Sequence, residues 1–99
     1  MTINKKLDGK DLVIALEGRL DTMTAPELEA ELKQSLDNAE TLTLDFSKLD
    51  YISSAGLRVL LSAHKTMASK NGSMKVTNVN EIVKEVFDVT GFADILTIE

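Results

Sequence analysis

Apolar positions along the chain switch between an extended rhythm and a helical one, and the switches define the elements. "TINKKL" (2–7) and "LVIALEG" (12–18) read as two strands joined through Asp8-Gly9, a hairpin turn signal. Leu12 to Leu16 form a nearly continuous apolar run, which predicts a strand buried on both faces. "TMTAPELEAELKQSLDN" (22–38) predicts a helix. Thr24 is placed as its N-cap, Glu27 would close a capping box, and Met23 and Leu28 occupy the positions of a hydrophobic staple. Pro26 falls in the first turn, where a missing N–H costs little. Leu28, Leu32 and Leu36 recur every fourth residue and form its apolar stripe.

"TLTLDFS" (41–47) alternates and predicts a strand, with Leu42, Leu44 and Phe46 on one side. "LDYISSAG" (49–56) then reads as a loop entering a second helix, about Ala55 to Ser69. Leu57, Leu60, Leu61, His64 and Ala68 are expected on the buried face of that helix, and Asn71-Gly72 ends it, with Lys65 and Lys70 near the stop. "MKVTNV" (74–79) is a short strand. Asn78 or Asn80 can cap a third helix carrying Val79, Ile82, Val83, Val86 and Phe87 at helical spacing, and Gly91 closes it. "ILTIE" (95–99) is the last strand.

The predicted order is β-β-α-β-α-β-α-β. It implies one α/β domain over residues 1–99: a mixed sheet, antiparallel in its opening hairpin and then mostly parallel, covered by about three helices. In such sheets the functional edge lies at the strand C-termini, where the following helices begin. The loops Gly18–Pro26 and Leu49–Gly56 are both of this kind and are expected to be neighbours.

Composition narrows the function classes. A chain of 99 residues with 43% hydrophobic content can bury one core. It has no cysteine, no signal peptide at "MTINKKLDGK" and no apolar run of membrane-spanning length, which together point to a soluble cytoplasmic protein. A net charge of −5 with scattered basic residues disfavours nucleic acid and anionic membranes as partners.

Enzyme chemistry finds little support. Ser54 lacks the glycine of a nucleophile elbow. The single histidine, His64, lies roughly 15 Å along the helix from it at about 1.5 Å per residue, too far to serve as its base. No Gly-Lys-Ser/Thr loop or dinucleotide fingerprint occurs, and no cofactor is implied. Asp21, Asp45 and Asp50 could approach one edge, as a hard cation would need, and otherwise serve as loop acids. What remains is the helix start itself: Ser53 or Ser54 can cap it, and Ala55 and Gly56 lie in a first turn whose N–H groups lack intrahelical partners. On these residues alone, a structural cap and a modification switch both stay open.

"DFSKLDYISSAGLRVLL" (45–61) resembles the signature of the STAS domain, found in bacterial anti-sigma factor antagonists and in sulfate-transporter tails. In the antagonists a strand leads into Asp-Ser-Ser/Thr-Gly-Leu, whose first serine is phosphorylated by a partner kinase. Matching Gly56 and Leu57 to the Gly-Leu puts Ser54 at the phosphoacceptor, Ala55 at the Ser/Thr position and Ser53 at the Asp position, where its hydroxyl is a competing acceptor. "EGRLD" (17–21) resembles the family's Gly-x-Leu-Asp loop, and "VFDVTGFADILTI" (86–98) its closing segment. The chain stops after "ILTIE", where many members carry a further helix.

The resemblance implies an anti-sigma factor antagonist. Its unmodified form would bind an anti-sigma factor with serine-kinase activity and release a sigma factor. Phosphorylation of Ser54 would end the binding, and a phosphatase would restore it. ATP would belong to the partner. The implied contact residues are Asp21, Thr22, Ser53, Ser54, Ala55, Gly56, Leu57 and Arg58. The alternative is a constitutive STAS interaction module in a transport or signalling complex, with Ser54 acting only as a cap.

Overall fold

The computed structural model describes residues 1–99. The strands are β1 (Thr2–Asp8), β2 (Asp11–Leu20), β3 (Thr41–Ile52), β4 (Ser73–Thr77) and β5 (Thr97–Ile98). The helices are α1 (Ala25–Ser35), α2 (Ser54–Ser69) and α3 (Glu81–Thr90), with 3₁₀ turns at Leu36–Asn38 and Phe92–Asp94. The order is the predicted one. The sheet runs β1-β2-β3-β4-β5 in space, antiparallel between β1 and β2 and parallel thereafter.

Each helix connects two neighbouring parallel strands, and every crossover steps in the same direction across the sheet. Crossovers of one hand then place all three helices on one face. Burial agrees: Leu12, Leu42 and Met74 align in one row, Ile14, Leu44 and Val76 in the next, and all are buried. Because the other face meets water, β2 is not buried on both sides. Leu12, Ile14 and Leu16 point inward, while Val13 between them is exposed. Phe46 and Phe87 stack with ring centroids 6.4 Å apart, tying α3 to the centre of the sheet.

Other local expectations shift. The hairpin turn centres on Gly9-Lys10, since Asp8 pairs with Asp11, and Gly9 takes φ 63°, a conformation that suits glycine. On α2 the buried residues are Gly56, Leu57, Val59, Leu60, Ala63 and Met67; Ala68 is exposed and Leu61 and His64 are half-buried. The buried face is turned towards α1, which packs against α2. On α3, Val83 and Phe87 are buried, but Ile82 is exposed. Asn80 is the cap: its side chain accepts from the Val83 N–H at 2.8 Å and donates to the Leu49 carbonyl at 2.9 Å. Gly91, at φ 82°, closes α3 as expected. The Lys70 ammonium donates to the Leu36 and Asp37 carbonyls at the end of the first helical segment rather than to its own helix. The last strand covers only Thr97–Ile98, with Ile95 exposed before it.

Candidate functional site

The C-terminal ends of β2 and β3 and the start of α2 meet at one edge. β3 extends through Ile52, so Leu49–Ile52 is strand and not loop. Ala15 pairs with Asp45 but Glu17 with Lys48, and Gly18 pairs with Leu49 but Arg19 with Tyr51. Each shift adds one residue to β3, a bulge that bends and re-aims a strand. Leu20 and Ile52 are thereby paired, and the Ser53 N–H donates to the Leu20 carbonyl at 2.9 Å. The two expected neighbours, Gly18–Pro26 and Leu49–Gly56, are joined there.

After Leu20 the chain turns through Asp21–Thr24. The Asp21 carboxylate accepts from the N–H groups of Met23 at 3.0 Å and Thr24 at 3.2 Å. The Thr24 hydroxyl donates to the Arg19 carbonyl at 2.8 Å and accepts from the Asp21 N–H at 2.9 Å. It therefore makes no cap bond to α1, and the capping box with Glu27 does not form. Met23 is 83% exposed, so the staple with Leu28 is absent as well. Partial withdrawal from water works to raise the Asp21 pKa. The bonds from Met23 and Thr24, with the Arg19 guanidinium 3.7 Å away, outweigh that and hold it below the ordinary carboxylate value. Arg19 also lies over the Tyr51 ring, 4.5 Å from its centroid. This pairing escapes a sequence reading because it depends on the bulged register.

Ser53 occupies the N-cap position of α2 with extended backbone, and its carbonyl accepts the Leu57 N–H at 3.0 Å. Its side chain makes no cap bond, and its hydroxyl oxygen is buried without a hydrogen-bond partner. Ser54 is the first residue of the helix and is exposed, so neither serine caps through its side chain. Ala55 is half-buried, and Gly56 is packed against β2 and β3. A Cβ on Gly56 would sit 2.7 Å from Leu20 Cγ and 2.8 Å from Ile52 Cγ1. Leu57 is buried, and Arg58 is exposed.

The eight candidate residues therefore share one edge in different capacities. Thr22, Ser54 and Arg58 are exposed, Asp21, Ser53 and Ala55 are half-buried, and Gly56 and Leu57 anchor the helix from within. A shallow cleft between the starts of α1 and α2 is lined in part by Thr22, Pro26, Glu29, Ala55 and Arg58. No three His, Asp or Glu side chains converge as a metal site. Asp45 instead accepts from the Asn78 side chain at 3.0 Å and the Ser47 N–H at 3.0 Å, which hold its pKa below the ordinary value. No helix is long and apolar enough to cross a membrane.

The family model described as "Mlab, STAS domain" matches residues 3–97. The chain belongs to the STAS domain family. Among STAS relatives, BtrV of Bordetella bronchiseptica, named provisionally as an anti-sigma factor antagonist, is 39% identical over 94% of this chain and 80% of its own length. The anti-sigma-B factor antagonist of Bacillus subtilis is 28% identical over 99% of this chain and 90% of its own. Solved STAS structures share the fold. An anti-sigma factor antagonist from Mycobacterium paratuberculosis superposes with a TM-score of 0.87 at 21% identity, covering 98% of this chain and 83% of that one. The antagonist SpoIIAA superposes in its unphosphorylated form with a TM-score of 0.79 at 18% identity, covering 99% of this chain and 87% of its own. SpoIIAA in its phosphorylated form gives 0.78 at 18% identity, covering 99% and 91%.

Proposed function

We propose that this STAS domain is an anti-sigma factor antagonist switched by phosphorylation of Ser54. Its unmodified form docks an anti-sigma factor with serine-kinase activity through the edge around Thr22, Ser54 and Arg58, which releases a sigma factor. The kinase then transfers a phosphoryl group from ATP to Ser54. The Oγ–P bond forms, the bond from that phosphorus to ADP breaks, and the hydroxyl proton passes to a base on the kinase. A phosphatase later hydrolyses the ester.

The observation that carries this reading is the contrast between two adjacent hydroxyls. Ser54 is exposed on the first turn of α2, whereas the Ser53 oxygen is out of reach of solvent. The names of the relatives support the same role. A phosphoserine carries about −1.5 to −2 charges, which takes the formal net charge from −5 to about −7. At a helix start it meets free N–H donors, so the fold should persist while the surface changes. SpoIIAA, which superposes equally well in both forms, is consistent with a switch of that kind. A loss of about 3 kcal/mol in binding lowers affinity more than a hundredfold.

Incubation with the kinase and ATP, followed by mass-spectrometric site mapping, tests the reading. Phosphate is expected on Ser54 and absent after Ser54→Ala. Phosphate on Ser53, or unchanged incorporation into Ser54→Ala, contradicts it. In the alternative, a constitutive STAS interaction module, Ser54 serves only as a cap; in the structure the N-cap position belongs to Ser53 and Ser54 is the first helical residue.

A further inference from the structure

We infer that Arg58 is the intramolecular counter-ion of a phosphate on Ser54, so that modification also withdraws the one unpaired cation of the docking edge. The inference rests on the reading that Ser54 is modified, and it gives Arg58 a second role beyond contact with the partner.

Helix α2 carries no aspartate or glutamate, although the chain as a whole has a net charge of −5. α1 holds Glu27, Glu29 and Glu31, and α3 holds Glu81, Glu85 and Asp88. The outward stripe of α2 runs Ser54, Arg58, Leu61, Lys65 at three- and four-residue steps. Arg58 takes part in none of the ion pairs of the structure. The charges around it are engaged. Glu29, across the cleft, is paired with Lys33 at 3.2 Å, and Arg19 is held by Asp21 and Tyr51. Arg58 is thus exposed, free and four residues beyond Ser54.

An acidic group four residues before a basic one is the favourable orientation on a helix, with Cβ atoms about 5–6 Å apart. A neutral serine hydroxyl offers Arg58 one weak acceptor and no charge. A phosphate offers three strong acceptor oxygens to a planar guanidinium that can bind two of them at once. In the unmodified protein Arg58 is available to an acidic group on the partner. In the modified protein it is occupied from within, and the stripe loses its net positive charge.

The test uses full-length protein with phosphoserine installed at position 54 during synthesis, and reads the second phosphate ionisation by phosphorus NMR. A neighbouring cation favours the dianion and lowers that pKa. Arg58→Gln is expected to raise it by about 0.5 unit at low salt, a gap that narrows at about 1 M salt. Arg58→Lys should recover most of the lowering. Lys65→Gln removes the same charge roughly 16 Å along the helix and should leave the ionisation unchanged. Equal values with and without Arg58, or an equal shift from Lys65→Gln, would overturn the inference. Because the phosphate is placed synthetically, the result does not depend on any kinase. A kinase that ignores Ser54 would defeat the functional reading and leave this measurement standing.

Discussion

The hydroxyls of Ser53 and Ser54 are one residue apart and meet different surroundings. At an ordinary N-cap, replacing serine by alanine costs about 1 kcal/mol because a helix N–H loses its acceptor. The Ser53 hydroxyl accepts nothing and is shut away from water, so it contributes no such bond. Ser53→Ala should therefore change stability by less than about 0.5 kcal/mol, and relief of an unsatisfied polar atom could make it neutral. Chemical denaturation measures this; a loss of 1 kcal/mol or more would show that the hydroxyl is bonded in solution. Asp21 is the opposite case, since it binds two N–H groups and faces a guanidinium. Its folded pKa lies below the unfolded one, so the folded state binds fewer protons across that interval. The stabilisation is complete above the ordinary carboxylate value and is lost as pH falls through the folded one. Asp21→Asn should flatten the acid limb of stability against pH and leave the slope above about pH 6 unchanged. An identical acid limb in the variant would contradict this account of the turn.

Among the elements, the start of α2 shows packing overriding propensity. On propensity alone, Gly56→Ala would stabilise a helix by about 0.5–1 kcal/mol. The new Cβ would lie within 3 Å of the buried Leu20 and Ile52 side chains, and overpacking of that kind costs about 1–3 kcal/mol. The expected net effect is a loss of about 1–2 kcal/mol in urea unfolding, and a gain would show that β2 and α2 are less closely fitted. What could be read from the sequence follows the same division. The long periodic elements and their order were legible, and so was the meeting of the two C-terminal loops. The end of β3 was not, because its buried residues run Leu42, Leu44, Phe46 and then Leu49 and Ile52. The two three-residue steps mark the bulges, and they break the alternation by which a strand is recognised. Thr24 and Glu27 have the spacing of a capping box, but Asp21 reaches the Thr24 N–H first and the threonine hydroxyl turns back to Arg19. The buried face of α2 is displaced towards Val59 and Ala63, which line the groove between α2 and Leu32 of α1, a tertiary contact that helical spacing cannot report.

For the whole molecule, the sheet limits what a charge added at Ser54 can do. All three helices lie on one face, and the ends of β2 and β3 are joined by the Ser53–Leu20 hydrogen bond. The start of α2 is pinned by Gly56 and Leu57 on the inside, which leaves Ser54 and Arg58 outside. Charge can therefore be added at Ser54 without disturbing the core, and its consequence is confined to what binds that edge. The decisive measurement is capture of the partner from the source cell by the wild type and by Ser54→Asp in parallel, with the bound proteins identified by mass spectrometry. The wild type is expected to retain an anti-sigma factor with a kinase domain, and Ser54→Asp, folded to the same extent, to lose it. Equal retention by both proteins, or retention of no anti-sigma factor by the wild type, would contradict it.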